Sequence, residues 1–125
     1  MARILVIEDD SPVQALFKEL LEGEGYSVSL ADNGREGLFQ IYEQKPDLII
    51  TDIMMPEMDG IEVIQAIHKL DKNLPIIAIS GGMRDLPINF LTHAKKLGAF
   101  RVFEKPVVLS EILCAIRELL LSSPD

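Results

Sequence analysis

The sequence predicts an α/β fold: a five-stranded parallel sheet between two layers of helices. Strand-like and helix-like runs alternate strictly, five of each, which is the signature of βαβ units. Three of the strand-like runs are apolar almost throughout, as strands covered on both faces must be. At 125 residues the chain has the length of one domain with one sizeable core.

Each element has its own signal. ILVIE (4–8) is the first strand. Ser11 as N-cap and Pro12 at the first helical position open a helix over 12–22, where Val13, Leu16, Phe17, Leu20 and Leu21 recur at helical spacing. YSVSLA (26–31) alternates like a strand with one wet face. A helix at about 34–44 sets Leu38, Ile41 and Tyr42 on one side. DLIIT (47–51) is the third strand and runs straight into Asp52; the loop IMMPEMDG follows, stiffened by Pro56, and Asp59-Gly60 starts a helix carrying Ile61, Ile64 and Ile67. PIIAIS (75–80) is the fourth strand. The next helix begins near Pro87, uses Ile88, Leu91, Ala94 and Leu97, and stops before Gly98. FRVFE (100–104) is the fifth strand. The last helix runs to about 121 with Leu109, Ile112, Leu113, Ile116 and Leu120. Residues 1–121 form the domain and 122–125 a short tail.

The strands sort into positions. YSVSLA alternates and FRVFE carries Arg101 between apolar neighbours, so both read as edges. With the three apolar strands inside, right-handed crossovers allow the order 2-1-3-4-5, the flavodoxin-like (βα)5 three-layer sandwich.

Composition narrows the function. Twelve basic against twenty acidic residues give a net charge of -8. That argues against direct nucleic-acid binding or an anionic membrane surface, which want clustered Lys and Arg. No apolar run approaches the roughly 18 residues of a membrane span, and the start lacks a signal peptide's apolar region and cleavage site. The expectation is a cytoplasmic protein. Cys114, the one cysteine, reads as a small core residue. His68 and His93 read as surface residues rather than zinc ligands. GxxxxGK[ST] is absent, and no GxGxxG follows the first strand.

In open α/β sheets the site lies beyond the carboxyl ends of the strands, at the topological switch point, here between strands 1 and 3. Strand 1 ends in Glu8-Asp9-Asp10, strand 3 in Asp52, strand 4 in Ser80, and strand 5 in Glu104-Lys105-Pro106. Clustered carboxylates repel one another, and a hard divalent cation with oxygen ligands relieves that. Acids beside a lysine and a hydroxyl point to metal-assisted phosphoryl chemistry, with one carboxylate as nucleophile. Asp52 is the candidate, standing alone at the end of the central strand. Each motif by itself has a plainer reading: a solvated turn at 8–10, a loop aspartate at 52, a flexible turn at Ser80-Gly81-Gly82, a strand end at 105–106. Their joint placement at four strand ends favours the site.

Together the motifs ILVIEDD, LIITDIMMPEMDG, IIAISG and VFEKP resemble the receiver domains of two-component response regulators, over essentially residues 2–121. A chemotaxis member of that family is a standard example of the 2-1-3-4-5 order. The resemblance implies that Glu8 and Asp9 are the acidic pair, Asp9 the more direct ligand of Mg²⁺ (or Mn²⁺). It implies that Asp52 accepts a phosphoryl group from a phosphohistidine of a sensor histidine kinase or a histidine phosphotransfer protein. The Met54 carbonyl completes the metal ligands, Ser80 takes the hydroxyl switch position, and Lys105 contacts the phosphoryl group. Lys105-Pro106 matches the family's cis peptide. The domain is then a signalling phosphoacceptor, not an enzyme beyond its own phosphorylation and dephosphorylation. The switched surface is the 87–97 helix, the fifth strand and the last helix, where a homodimer could also form. Output is expected from an unidentified partner or from a domain outside these residues.

Two departures from the family pattern stand out. Val102 occupies the position, three before the lysine, where the family often carries Tyr or Phe; Phe103 is one residue on and is expected to face the other side of the sheet. Glu8 replaces the commoner Asp, which changes how the metal is reached. The first alternative is a degenerate receiver serving as a phosphorylation-independent scaffold. A phosphatase of the haloacid dehalogenase type wants a second Asp where Met54 stands, and a flavin binder wants a phosphate-cradling loop where three acids stand.

Overall fold

In the computed structural model β1 (Arg3–Ile7), β2 (Ser27–Ala31), β3 (Leu48–Asp52), β4 (Ile76–Ser80) and β5 (Arg101–Glu104) form one parallel sheet of order β2-β1-β3-β4-β5. The structure describes residues 2–53, 60–80, 98–104 and 107–121, with the backbone alone at 60, 61 and 80. The helix expected over 87–97, Met54, Gly81-Gly82, His93, Lys105-Pro106 and the 122–125 tail lie outside the described residues. The described helices are α1 (Ser11–Gly23), α2 (Gly34–Glu43), α3 (Gly60–Leu70) and the last helix, Leu109–Leu121. The predicted order and the edge positions of the second and fifth strands hold. β3 is buried along its whole length, whereas β5 is only partly covered.

Alternation along the strands divides the core into two layers. Leu5, Ile7, Ile49, Ile76 and Ala78 pack with Ile41 of α2 and Val63, Ile64 and Ile67 of α3. Ile4, Val6, Leu48, Ile50, Ile77 and Ile79 pack on the other face with Phe17 and Leu21 of α1 and Ile112, Ala115, Ile116 and Leu119 of the last helix. Each fully buried aliphatic side chain contributes roughly 1.5–3 kcal/mol. Gly37 brings α2 close to the sheet: a Cβ there would lie 2.5 Å from Ile7 Cδ1 and 2.8 Å from its Cγ1.

Several local expectations are corrected. α1 begins at Ser11, so its N-cap is Asp10, not Ser11, and Asp10's side chain makes no capping hydrogen bond. α2 has the stronger cap: Asn33 accepts from the Glu36 N–H at 2.8 Å. Leu16 is 49 % exposed and Tyr42 73 % exposed, because the apolar stripes of α1 and α2 are narrower than their spacing allows. Cys114 is exposed, not core. Its Sγ lies 3.3 Å from Glu118 Oε1, and that hydrogen bond pushes the thiol pKa up. His68 is exposed, as expected. No helix among the described residues is long and apolar enough to cross a membrane.

Candidate functional site

Pairing of β1 with β3 sets Ile7 opposite Thr51, so the next residues, Glu8 and Asp52, emerge side by side. Side-chain parity sends both the same way. Ile4 and Val6 of β1 and Leu48 and Ile50 of β3 face α1 and the last helix, and Glu8 and Asp52 continue those two rows. The Glu8 N–H donates to the Ala31 carbonyl at 3.0 Å, which extends the strand pairing one residue past β1. Ile53 N–H donates to Ile79 O at 2.9 Å and ties the end of β3 to β4. The Thr51 hydroxyl donates to the Asp52 carbonyl at 3.1 Å.

The result is a compact acidic cluster. One carboxylate oxygen each from Glu8, Asp9 and Asp52 lie within 4.8 Å of one another. Glu8 is 2 % and Asp52 5 % exposed, while Asp9 is open to solvent. The cluster thus has a buried floor and a wet mouth. Every donor is a carboxylate oxygen, the hard set that suits Mg²⁺ or Mn²⁺. The Asp10 N–H donates to Glu8 Oε2 at 3.2 Å and restrains that carboxylate.

Of the residues expected at the site, Glu8, Asp9 and Asp52 are brought together. Ser80 ends β4, in register with Glu104 of β5. Met54 and Lys105 lie outside the described residues. Val102 packs with the α2–α3 layer and Phe103 with the opposite layer, as the alternation at β5 predicts. Two residues, Gln14 and its partner Asp32, escaped the sequence reading. Gln14, only 8 % exposed, donates through Nε2 to the Glu8 carbonyl and to Asp32 Oδ1, the latter at 2.8 Å. The signal was available: Gln14 precedes Phe17 and Leu21 by three and seven residues, which puts an amide on the buried stripe of α1.

A parallel sheet of this order with an acid cluster at its switch point defines a class of crevice proteins whose chemistry sits at the ends of β1 and β3. A family model of the response regulator receiver domain matches residues 4–117, and the chain belongs to that family, the receiver domains of two-component signalling. The response regulator MprA of Mycolicibacterium vanbaalenii is 37 % identical over 124 residues, 98 % of this chain and 52 % of that protein. The chain spans about half the length of the curated relatives it matches. Among solved structures, a receiver domain protein of Clostridium thermocellum superposes with a TM-score of 0.88 at 32 % identity, covering 96 % of this chain and 94 % of that one. A CheY-like receiver domain protein of Methanospirillum hungatei gives 0.91 at 31 % identity, with 98 % and 96 % covered.

Proposed function

We propose that this domain accepts a phosphoryl group on Asp52 from a phosphohistidine of a sensor histidine kinase or a histidine phosphotransfer protein. The observation that carries the reading is the convergence of Glu8, Asp9 and Asp52 within 4.8 Å at the β1–β3 switch point. Asp52 stands at the end of the fully buried central strand and forms the floor of the cluster beneath solvent-open Asp9. Its carboxylate oxygen attacks phosphorus, the P–O bond forms as the P–N bond of the phosphoimidazole breaks, and the imidazole leaves and takes up a proton.

Glu8, Asp9 and Asp52, with the Met54 carbonyl, would hold Mg²⁺ or Mn²⁺. When bound, the ion offsets the negative charge on the phosphoryl oxygens. Lys105 would supply a second positive charge, and Ser80 a hydrogen bond to a phosphoryl oxygen. In this reading residues 1–121 act as one phosphoacceptor unit that catalyses only its own phosphorylation and dephosphorylation. The added charge biases the surface of the 87–97 segment, β5 and the last helix toward an unidentified output partner. With Val102 at the usual aromatic position, Ser80 and the segment after it carry the switch.

Acetyl phosphate with Mg²⁺ tests the reading. The wild-type chain labels, and labelling disappears with Asp52→Asn or on chelation of the metal. A wild-type chain that never labels, with either acetyl phosphate or a phosphorylated kinase, supports the scaffold alternative instead.

A further inference from the structure

We infer that Gln14 is a positioning residue for the acidic pair: from α1 it clamps the peptide that joins Glu8 to Asp9 and so sets the spacing of the metal ligands. This rests on the metal-dependent phosphoacceptor site proposed above.

The Glu8 carbonyl belongs to the peptide unit linking Glu8 to Asp9. The orientation of that plane decides where Asp9 starts relative to Glu8. Gln14 Nε2 donates one hydrogen to this carbonyl and one to Asp32 Oδ1, at 2.8 Å, which uses both N–H groups of the amide. Its own main chain is anchored, since Gln14 N–H donates to the Asp10 carbonyl at 2.9 Å. Helix α1 thereby holds both ends of the acidic turn, one through its backbone and one through a side chain. Glu8 N–H on the Ala31 carbonyl and Asp10 N–H on Glu8 Oε2 add further restraints.

Burial makes the amide costly to misplace. Gln14 is 8 % exposed, on the same stripe as Phe17 and Leu21, so its polar head must find partners within the protein. Asp32, at the end of β2, is the second partner and couples the neighbouring loop to the turn. A packing residue at this place would serve α1 equally well without touching the Glu8–Asp9 peptide. The double hydrogen bond is what ties the helix to the ligand pair. Supporting partners of this kind govern metal affinity by holding ligand geometry.

The test is Mn²⁺ binding, read as free ion by electron paramagnetic resonance, with circular dichroism to confirm folding. Gln14→Met keeps the length and apolar stem but lacks the donors, and Gln14→Leu serves if the methionine variant does not fold. The expected result is an Mn²⁺ dissociation constant raised about tenfold. Phe17→Leu, on the same stripe and packed with the aliphatic residues of the sheet, is the packing control; it lowers the melting temperature and leaves Mn²⁺ affinity within twofold. Gln14 variants that bind Mn²⁺ within twofold of wild type overturn the proposal while leaving the site intact. So does a Phe17→Leu chain whose Mn²⁺ affinity falls as far as that of the Gln14 variants. A wild-type chain that binds no Mn²⁺ removes the site itself, and the proposal with it.

Discussion

Glu8 and Asp52, from adjacent strands, place carboxylate oxygens within 4.8 Å of each other, and both residues are at least 95 % buried. Two acids this close in a poorly hydrated place make a cation's arrival a stabilising event. Mg²⁺ or Mn²⁺ should therefore raise the melting temperature. At a hundredfold excess over the dissociation constant the gain is about 2.7 kcal/mol. Scanning calorimetry with and without the ion measures it. Glu8→Gln and Asp52→Asn should each shrink the gain; an undiminished shift in both would place the ion elsewhere.

Gly37 and Ile7 provide a test of packing between α2 and the sheet. Gly37→Ala should cost about 1–3 kcal/mol through overpacking, because Ile7 is fully buried and has little room to retreat. Urea unfolding gives the value. In an Ile7→Ala background the added methyl meets the vacated space, so most of the cost should vanish, a coupling that a double-mutant cycle isolates.

Gly98 behaves differently. Its φ of +138° is strained for any L side chain, and a Cβ would also lie 2.8 Å from His68 Nδ1. Gly98→Ala should destabilise by roughly 1–3 kcal/mol. Adding His68→Ala removes the contacts with the ring but keeps its Cβ 3.1 Å away, so it should recover only part of the loss. Complete recovery in thermal melts would show that the backbone carries no penalty there.

Asp71 governs part of the acid stability. Hydrogen bonding to Lys45 holds its pKa below the ordinary 3.8, and the Asn73 N–H adds to this. A depressed folded pKa means stability that is present above the unfolded value and lost as pH falls through the folded one. Lys45→Ala should lower stability near pH 7 by about 0.2–1 kcal/mol, the range for solvent-facing pairs. The difference from wild type should close as pH falls through the folded pKa, on the acid side of the ordinary 3.8. Denaturant melts at several pH values follow it.

The architecture was legible because burial leaves a pattern. The runs at 4–8, 47–51 and 75–80 are apolar on both faces, and they became the central strands. Glu8, Asp9 and Asp52 were legible because strand parity and strand ends follow from that order. Helix faces were read less well. Leu16 and Tyr42 sit at core spacing, yet the stripe that meets the sheet excludes them, and spacing alone does not give its width. Cys114 turned outward for the same reason, with Ala115 taking the buried place. Gln14 was missed because a polar residue inside an apolar stripe breaks no period, and its partners are backbone and a residue 18 positions away.

Locating the phosphoryl group tests the central claim most directly. The chain is incubated with acetyl phosphate and Mg²⁺, reduced with borohydride, and mapped by mass spectrometry, since reduction converts an aspartyl phosphate to homoserine. The account predicts homoserine at position 52 alone, and only when Mg²⁺ was present. Reduction at another acid, or modification of position 52 that persists without a divalent ion, would contradict it.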